Sequence, residues 1–275
     1  MGWRYLIFTP VAAVVLHIAS ASAWALELTL PERAFQGDMI VGKVDPASDI
    51  WSGSKALSVS RDGYFVIGVP RDQKSDVVVL AKKGDERIKR TIRIMAQKWL
   101  IERINGLPEK TVSPDPETLR RIKEDNLRVA TVRTSFLSSP ALFVDKGFVM
   151  PLKGRISGVF GSQRVLNGEP RSPHPGLDIA APGGTPIVSP GDGIVRLTAN
   201  EMVLMGNTLI VDHGLGVSSI FIHLNRILVK EGDIVSQGDV IAQVGQTGRS
   251  TGPHLHWGVY VGTIAVDPQR IVPRR

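Results

Sequence analysis

The sequence predicts a mainly β protein: a small N-terminal β-sandwich, a connecting helix and a C-terminal antiparallel β-sheet domain. Three observations predict it. Apolar and polar residues alternate in short runs with turn residues between them. Glycine and proline are frequent, 28 and 18 of 275 residues, as a turn-rich β protein requires. Only one stretch carries the end signals and charge pattern of a long helix. Alternation over about four to eight residues puts one strand face in a core and the other in water.

Residues 1–25 read as an export leader. Arg4 is followed by the mostly apolar Tyr5–Ile18, and "ASASAWAL" offers small residues before a cut after Ala23 or Ala25, the layout of a secretory signal peptide. Pro10 and His17 interrupt an apolar stretch that is already shorter than the roughly 20 residues a membrane span needs. The expectation is a chain secreted across the inner membrane into the periplasm, with no stable membrane span after the leader is removed.

Residues 26–100 form the expected β-sandwich. Runs such as "MIVGKV", "YFVIGV" and "DVVVLAK" are separated by "DPASD", "RDGY" and "KKGDE", and this region contains no histidine. Residues 101–146 read as a helical linker. Ser113 or Asp115 can cap a helix, with Pro114 or Pro116 early and Glu117 in its first turn, and Leu119, Ile122, Leu127 and Val129 are its apolar positions. Residues 147–275 return to strand-like runs between Gly-rich turns, from "RISGVF" to "HLHWGVYV". Just ahead of His174, "SGVFGSQRVLNGEPRS" reads as a polar loop, with Arg164 and Asn167 as candidate substrate contacts and solvation as the simpler role for each.

Composition narrows the chemistry. There is no cysteine, so disulfides, a thiol nucleophile and thiolate metal ligands are excluded, and a metal must be held by His, Asp or Glu. The net charge of +7 becomes +6 when Arg4 leaves with the leader. Nucleic acid is not the expected partner of an exported chain; an anionic envelope polymer suits the charge. A lipoyl- or biotin-carrier role, which "LVKEGDIVSQGDVIAQVG" resembles locally, fails because no lysine follows Lys230.

Five of the six histidines lie between 174 and 256. His254 and His256 in "HLHW" share one face of a strand, so both can meet one ion or one substrate. His174 and Asp178 offer a nitrogen and an oxygen, a donor pair that zinc accepts. His223, after three apolar residues in "SIFIHLN", is expected at a strand end facing a cleft. His213, in "VDHG", reads as a turn histidine bonded to backbone or to Asp212.

"HPGLD" with "IAAPGGTPI", then "IVDHG", "FIHL" and "GRSTGPHLHWGV", resemble in order the motifs of the LytM/lysostaphin-type zinc metallopeptidases of family M23. The likeness runs from about Gly154 to Asp267. It implies a lysostaphin-type fold related to the duplicated hybrid motif, and a zinc endopeptidase that cuts peptide cross-links or stems of peptidoglycan in wall remodelling or division. It implies His174, Asp178 and His256 as ligands of Zn²⁺, His254 and His223 as the catalytic pair, and no catalytic role for His213. Three protein ligands leave a fourth position for water, as catalytic zinc sites do. His254 is then expected as base and His223 as oxyanion donor and proton handler, with "APGGTP" and "STGP" as thin cleft walls. The alternative is an inactive relative that activates other wall hydrolases. The expected partners are a peptidoglycan peptide and an envelope regulatory protein.

Overall fold

The structure, a computed structural model, describes residues 25–106, 114–135 and 140–273. All of the expected leader except Ala25 lies outside the described residues, as does Ser113. No helix among the described residues is long and apolar enough to cross a membrane.

In the N-terminal region, a pair of sheets pack face to face. One contains β1 (Leu28–Thr29), β3 (Met39–Val44) and β6 (Tyr64–Gly68); the other runs in the order β2 (Arg33–Phe35), β8 (Glu86–Met95), β7 (Val77–Lys83), β4 (Asp49–Ser52) and β5 (Lys55–Ala56). Alternation explains the packing. Val77, Val79 and Ala81 of β7 turn inward beside Ile92 and meet Ile40, Val44, Phe65 and Ile67 of the facing sheet. The intervening Leu80 and most of β8 face water.

The expected linker begins as a strand. β9 (Ile101–Ile104) pairs in parallel with β11 (Gln163–Leu166), which pairs in turn with β12 (Glu169–Pro170). The segment expected to be a polar loop is therefore a hairpin, turned at Asn167 (φ 49°) and Gly168 (φ 86°); two successive positive φ values are what an Asn-Gly turn provides. Helix α1 (Pro116–Thr134) follows, with the Asp115 carboxylate accepting from the Thr118 amide at 2.9 Å. Its apolar positions do not form the expected stripe. Leu119 and Leu127 are exposed, and Val129 is the buried one, packed with partly buried Val132 on Leu197, Ala199, Met202, Ile210 and Ile220. The Asp125 carboxylate accepts from the Val203 amide at 2.8 Å, and the Arg133 guanidinium lies 3.8 Å from the centre of the Tyr260 ring. The helix is thus clamped to the C-terminal sheet.

That sheet has ten strands. Its main order is β10 (Arg155–Gly158), β13 (Leu177–Ala180), β20 (His254–Val261), β17 (Val217–Ile227), β16 (Gly206–Gly214), β15 (Gly193–Met202) and β18 (Ile234–Val235). β14 (Pro186–Val188) pairs with β19 (Val240–Val244), β19 with β17, and β21 (Ile264–Val266) with β20. All of these pairings are antiparallel. The central strands are buried on both faces. Leu209, Val211, Phe221 and Trp257 enter the main core, while Ile210 and Ile220 lie in the cluster under α1. A short helix, α2 (Pro268–Ile271), closes the described chain.

The two β regions share a seam. Val66 joins the C-terminal core, Trp99 meets Phe160 edge-on at 5.8 Å, and the Asp267 amide donates to the Gly37 carbonyl at 2.7 Å. An ion pair joins Arg270 to Asp38, and the Arg71 side chain donates to the Gly161 carbonyl at 2.7 Å.

Candidate metal centre

Strand register builds the site. Asp178 of β13 sits directly opposite His256 of β20, and His256 is in turn opposite Ile222 of β17. His254 lies two residues before His256 on the same strand, so both rings leave the same face. His174 precedes β13 and is tied to the turn before β11: its amide donates to the Ser162 carbonyl and its carbonyl accepts from the Gly161 amide, each at 2.9 Å.

Three ligand-type atoms meet. His174 Nε2 lies 2.9 Å from His256 Nδ1 and 3.0 Å from Asp178 Oδ1; His256 Nδ1 lies 2.8 Å from the same oxygen. All three residues are buried, and together they could hold a metal ion. The donor set fits one. Two nitrogens and one oxygen suit zinc, whose bonds of about 2.0–2.2 Å reach all three atoms from one point above so small a triangle. The ring tautomer also fits. His174 Nδ1 is 3.0 Å from the Val159 carbonyl, which only accepts, so the proton sits there and Nε2 presents its lone pair.

Backbone geometry leaves no spare room at two positions. A Cβ on Gly176 would stand 2.5 Å from the Trp257 carbonyl and 2.8 Å from His256 Nε2. A Cβ on Gly158 would stand 2.4 Å from Asp178 Oδ2. The glycines expected to thin the cleft walls behave differently: Gly183, Gly184 and Gly252 have nothing within 4 Å of an added Cβ. Close approach is needed behind the ligands, and no local sequence signal marks it at Gly158.

His223 and His254 stand beside the triangle. Their ring centres are 4.8 Å apart, His223 is 6.5 Å from His256, and His254 Nε2 is 3.9 Å from Asp178 Oδ1. His223 is not at a strand end. It lies inside β17 with φ 62°, where the register against β16 slips between Phe221 and Leu224. Such a bulge re-aims a side chain, and the His223 amide is fixed to the Met205 carbonyl at 2.8 Å. Its Nδ1 is 2.8 Å from the Thr247 carbonyl, and His254 Nδ1 is 2.9 Å from the Gly252 carbonyl and 3.1 Å from Ser250 Oγ. A carbonyl only accepts, so both rings hold a proton at Nδ1, and in the neutral tautomer Nε2 is the acceptor.

Burial sets the charge states. It pushes His223 down to about 4, against the Thr247 carbonyl, with the neighbouring His254 and His256 rings adding to the fall. Burial likewise lowers His256, opposed by its hydrogen bond to Asp178. Burial alone would raise Asp178; the hydrogen bonds and charges of His174 and His256 outweigh it and hold the carboxyl well below the usual carboxylate range.

The remaining candidates separate. His213 is a buried strand residue of β16 rather than a turn residue: Nδ1 donates to the Asp192 carbonyl and Nε2 meets Ser219 Oγ, both at 2.8 Å, and burial pushes it down to about 4. Asn167 occupies the hairpin turn. Arg164, expected either to contact substrate or to be solvated, donates from Nη2 to Asp178 Oδ2 at 3.0 Å.

Comparison with known proteins follows the same residues. The family model described as Peptidase family M23 matches residues 172–268. The peptidoglycan DD-endopeptidase ShyA of Vibrio cholerae serotype O1 is 31% identical over 237 residues, covering 80% of this chain and 51% of ShyA. An uncharacterized metalloprotease of Buchnera aphidicola is 39% identical over 139 residues, covering 50% of this chain and 36% of that protein. The chain thus spans about half or less of these relatives. A crystal structure of a peptidase M23 from Pseudomonas aeruginosa superposes with a TM-score of 0.67 at 29% identity, over 86% of this chain and 94% of that one. Coverage that wide extends well beyond residues 172–268.

Proposed function

We propose that this chain, whose residues 172–268 match the model described as Peptidase family M23, is a LytM/lysostaphin-type member of that family, an exported zinc endopeptidase that hydrolyses peptide cross-links or stems of peptidoglycan in the periplasm. The observation that carries this reading is the triangle of His174 Nε2, Asp178 Oδ1 and His256 Nδ1 with two further imidazole rings beside it. ShyA is named a peptidoglycan DD-endopeptidase, which supports the substrate class.

His174, Asp178 and His256 would hold the zinc, which when bound supplies a Lewis acid and a lowered pKa for water in the fourth position. The roles of the other two histidines follow from their protons. A scissile carbonyl lying over the triangle needs a base for the attacking water and an acid for the leaving amine. His254, anchored through Nδ1 at the Gly252 carbonyl, places Nε2 3.9 Å from Asp178 Oδ1, so Nε2 takes the water proton. His223, neutral at pH 7 with its Nδ1–H donating to the Thr247 carbonyl, has no Nε2–H with which to serve as oxyanion donor at rest. It becomes one only when a proton reaches Nε2, and the adjacent His254 is the source. The same proton can then pass to the amine, and the cycle closes with both rings neutral.

The test is digestion of purified wall material with fragment masses read directly. Cross-linked muropeptides should disappear and monomers accumulate, and treatment with a zinc chelator should stop this. A zinc-loaded protein that releases no fragments would sink the reading.

A further inference from the structure

We propose that Arg164 is a positioning residue for the metal carboxylate: it fixes which oxygen of Asp178 faces the ligand triangle, and Glu102 from the strand ahead of α1 holds it in place. The proposal rests on the reading of His174, Asp178 and His256 as zinc ligands.

An aspartate carboxylate turns about a broad, roughly two-fold torsion, so nothing within Asp178 selects one oxygen for a metal. The surroundings do. Oδ1 lies 3.0 Å from His174 Nε2 and 2.8 Å from His256 Nδ1. Oδ2 points the other way, into a space left by the missing side chain of Gly158, where an added Cβ would stand 2.4 Å from it. Arg164 Nη2 donates to Oδ2 there at 3.0 Å. His174 is held similarly, by the Val159 carbonyl on its non-ligating Nδ1. Outer partners of this kind orient ligands and are felt in metal affinity.

A guanidinium beside a cation site would by itself repel the cation. Glu102 offsets it. Glu102 and Arg164 are register partners in the parallel β9–β11 pair, and Glu102 Oε2 lies 3.5 Å from Arg164 Nε. That contact is an ion pair without a hydrogen bond, since Nε has no hydrogen-bond partner. The positive charge thus sits between two carboxylates, and the carrier of the outer one, β9, lies outside residues 172–268. A segment ahead of the peptidase domain therefore bears on its metal centre.

The experiment measures zinc affinity and zinc dissociation rate by chelator competition in the full chain, together with thermal unfolding of the metal-free protein. Arg164→Met should weaken zinc binding by about 10- to 100-fold and speed its release, and the unfolding of the metal-free protein reads separately what the lost hydrogen bond to Asp178 costs the fold. Arg164→Lys keeps a cation but loses the planar fork and should recover some of the loss. Glu102→Gln, which leaves the guanidinium uncompensated, should weaken binding by about two- to fivefold. If Arg164→Met does not fold, Arg164→Gln is read on the same scale. Binding weakened by less than about fivefold, or tightened, in the neutral variant overturns the proposal, as does a lysine variant no better than methionine. Failure of the wild-type chain to bind zinc at all would instead overturn the metal reading on which the proposal rests.

Discussion

The two β regions are built from similar strands and use their interiors differently. Around Phe65, the N-terminal region buries hydrophobic residues and, among the described residues, one polar side chain, Ser48. The C-terminal region buries His174, Asp178, His213, His223 and His256 together with Asp212 and several hydroxyls. Buried polar groups cost stability unless they are paired. His213 shows the paired case, with both ring nitrogens bonded and its Ser219 partner also accepting from the Trp257 indole at 3.1 Å. His223 and His254 each have one nitrogen anchored; the other nitrogen of His254 lies 3.9 Å from Asp178 Oδ1, and the His223 ring is 4.8 Å from that of His254. The difference between the regions lies in how their interiors treat polar groups, and within the C-terminal region the same difference separates a fully paired histidine from two that are anchored through one nitrogen.

Removing a ligand should break the comparison most severely. Asp178→Ala or His256→Ala should lose zinc and turnover together. Several kcal/mol of transition-state stabilisation depend on the metal, so kcat/KM should fall at least about a thousandfold, measured by muropeptide release beside zinc content. His254→Ala comes next. It should keep zinc and lose about 10²- to 10⁴-fold in kcat; substantial retained turnover would take His254 out of the mechanism.

In the N-terminal region the expected effect is on stability alone. Phe65 is fully buried between the two N-terminal sheets, and Phe65→Ala should cost about 3–5 kcal/mol in urea unfolding. Zinc affinity of the folded variant should stay within about twofold of wild type, because distant sites act independently. A large loss of zinc would show that the shared seam couples the N-terminal core to the metal centre.

What was legible in the sequence was local. Strand alternation made the mainly β fold readable, and the two-residue period placed His254 and His256 on one face. The Asp115–Pro116 start of α1 was readable because capping is a short-range signal. The face α1 buries was not, since Leu119 and Leu127 are apolar but exposed and the docking strand β15 decides the matter. The parallel pairing of β9 with β11 joins segments about 60 residues apart, and no local pattern announces it. It turned an expected loop into the carrier of Arg164. The inward turn of His223 likewise depends on a slip in pairing with β16, a property of two strands together.

The smallest expected effect concerns pH and sharpens the contrast among the histidines. In the metal-free protein His213 and His223 sit at about 4, and His256 is also lowered, each chiefly by burial. An unfolded histidine titrates near 6.5. Between those values the unfolded chain binds protons that the native chain refuses, so stability falls as pH drops from about 6.5 toward 4, and above 6.5 the contribution is constant. His213 and His223 each contribute a slope on the order of 1 kcal/mol per pH unit, and His256 adds in the same direction. His213→Gln should lower stability at pH 7.5, where its two buried hydrogen bonds are disturbed. It should also remove a slope on the order of 1 kcal/mol per pH unit between pH 6 and 4.5, read from urea midpoints of the metal-free protein. An unchanged slope would mean that His213 does not enter the native core as a neutral ring, and the division between paired and poised histidines would lose its structural half.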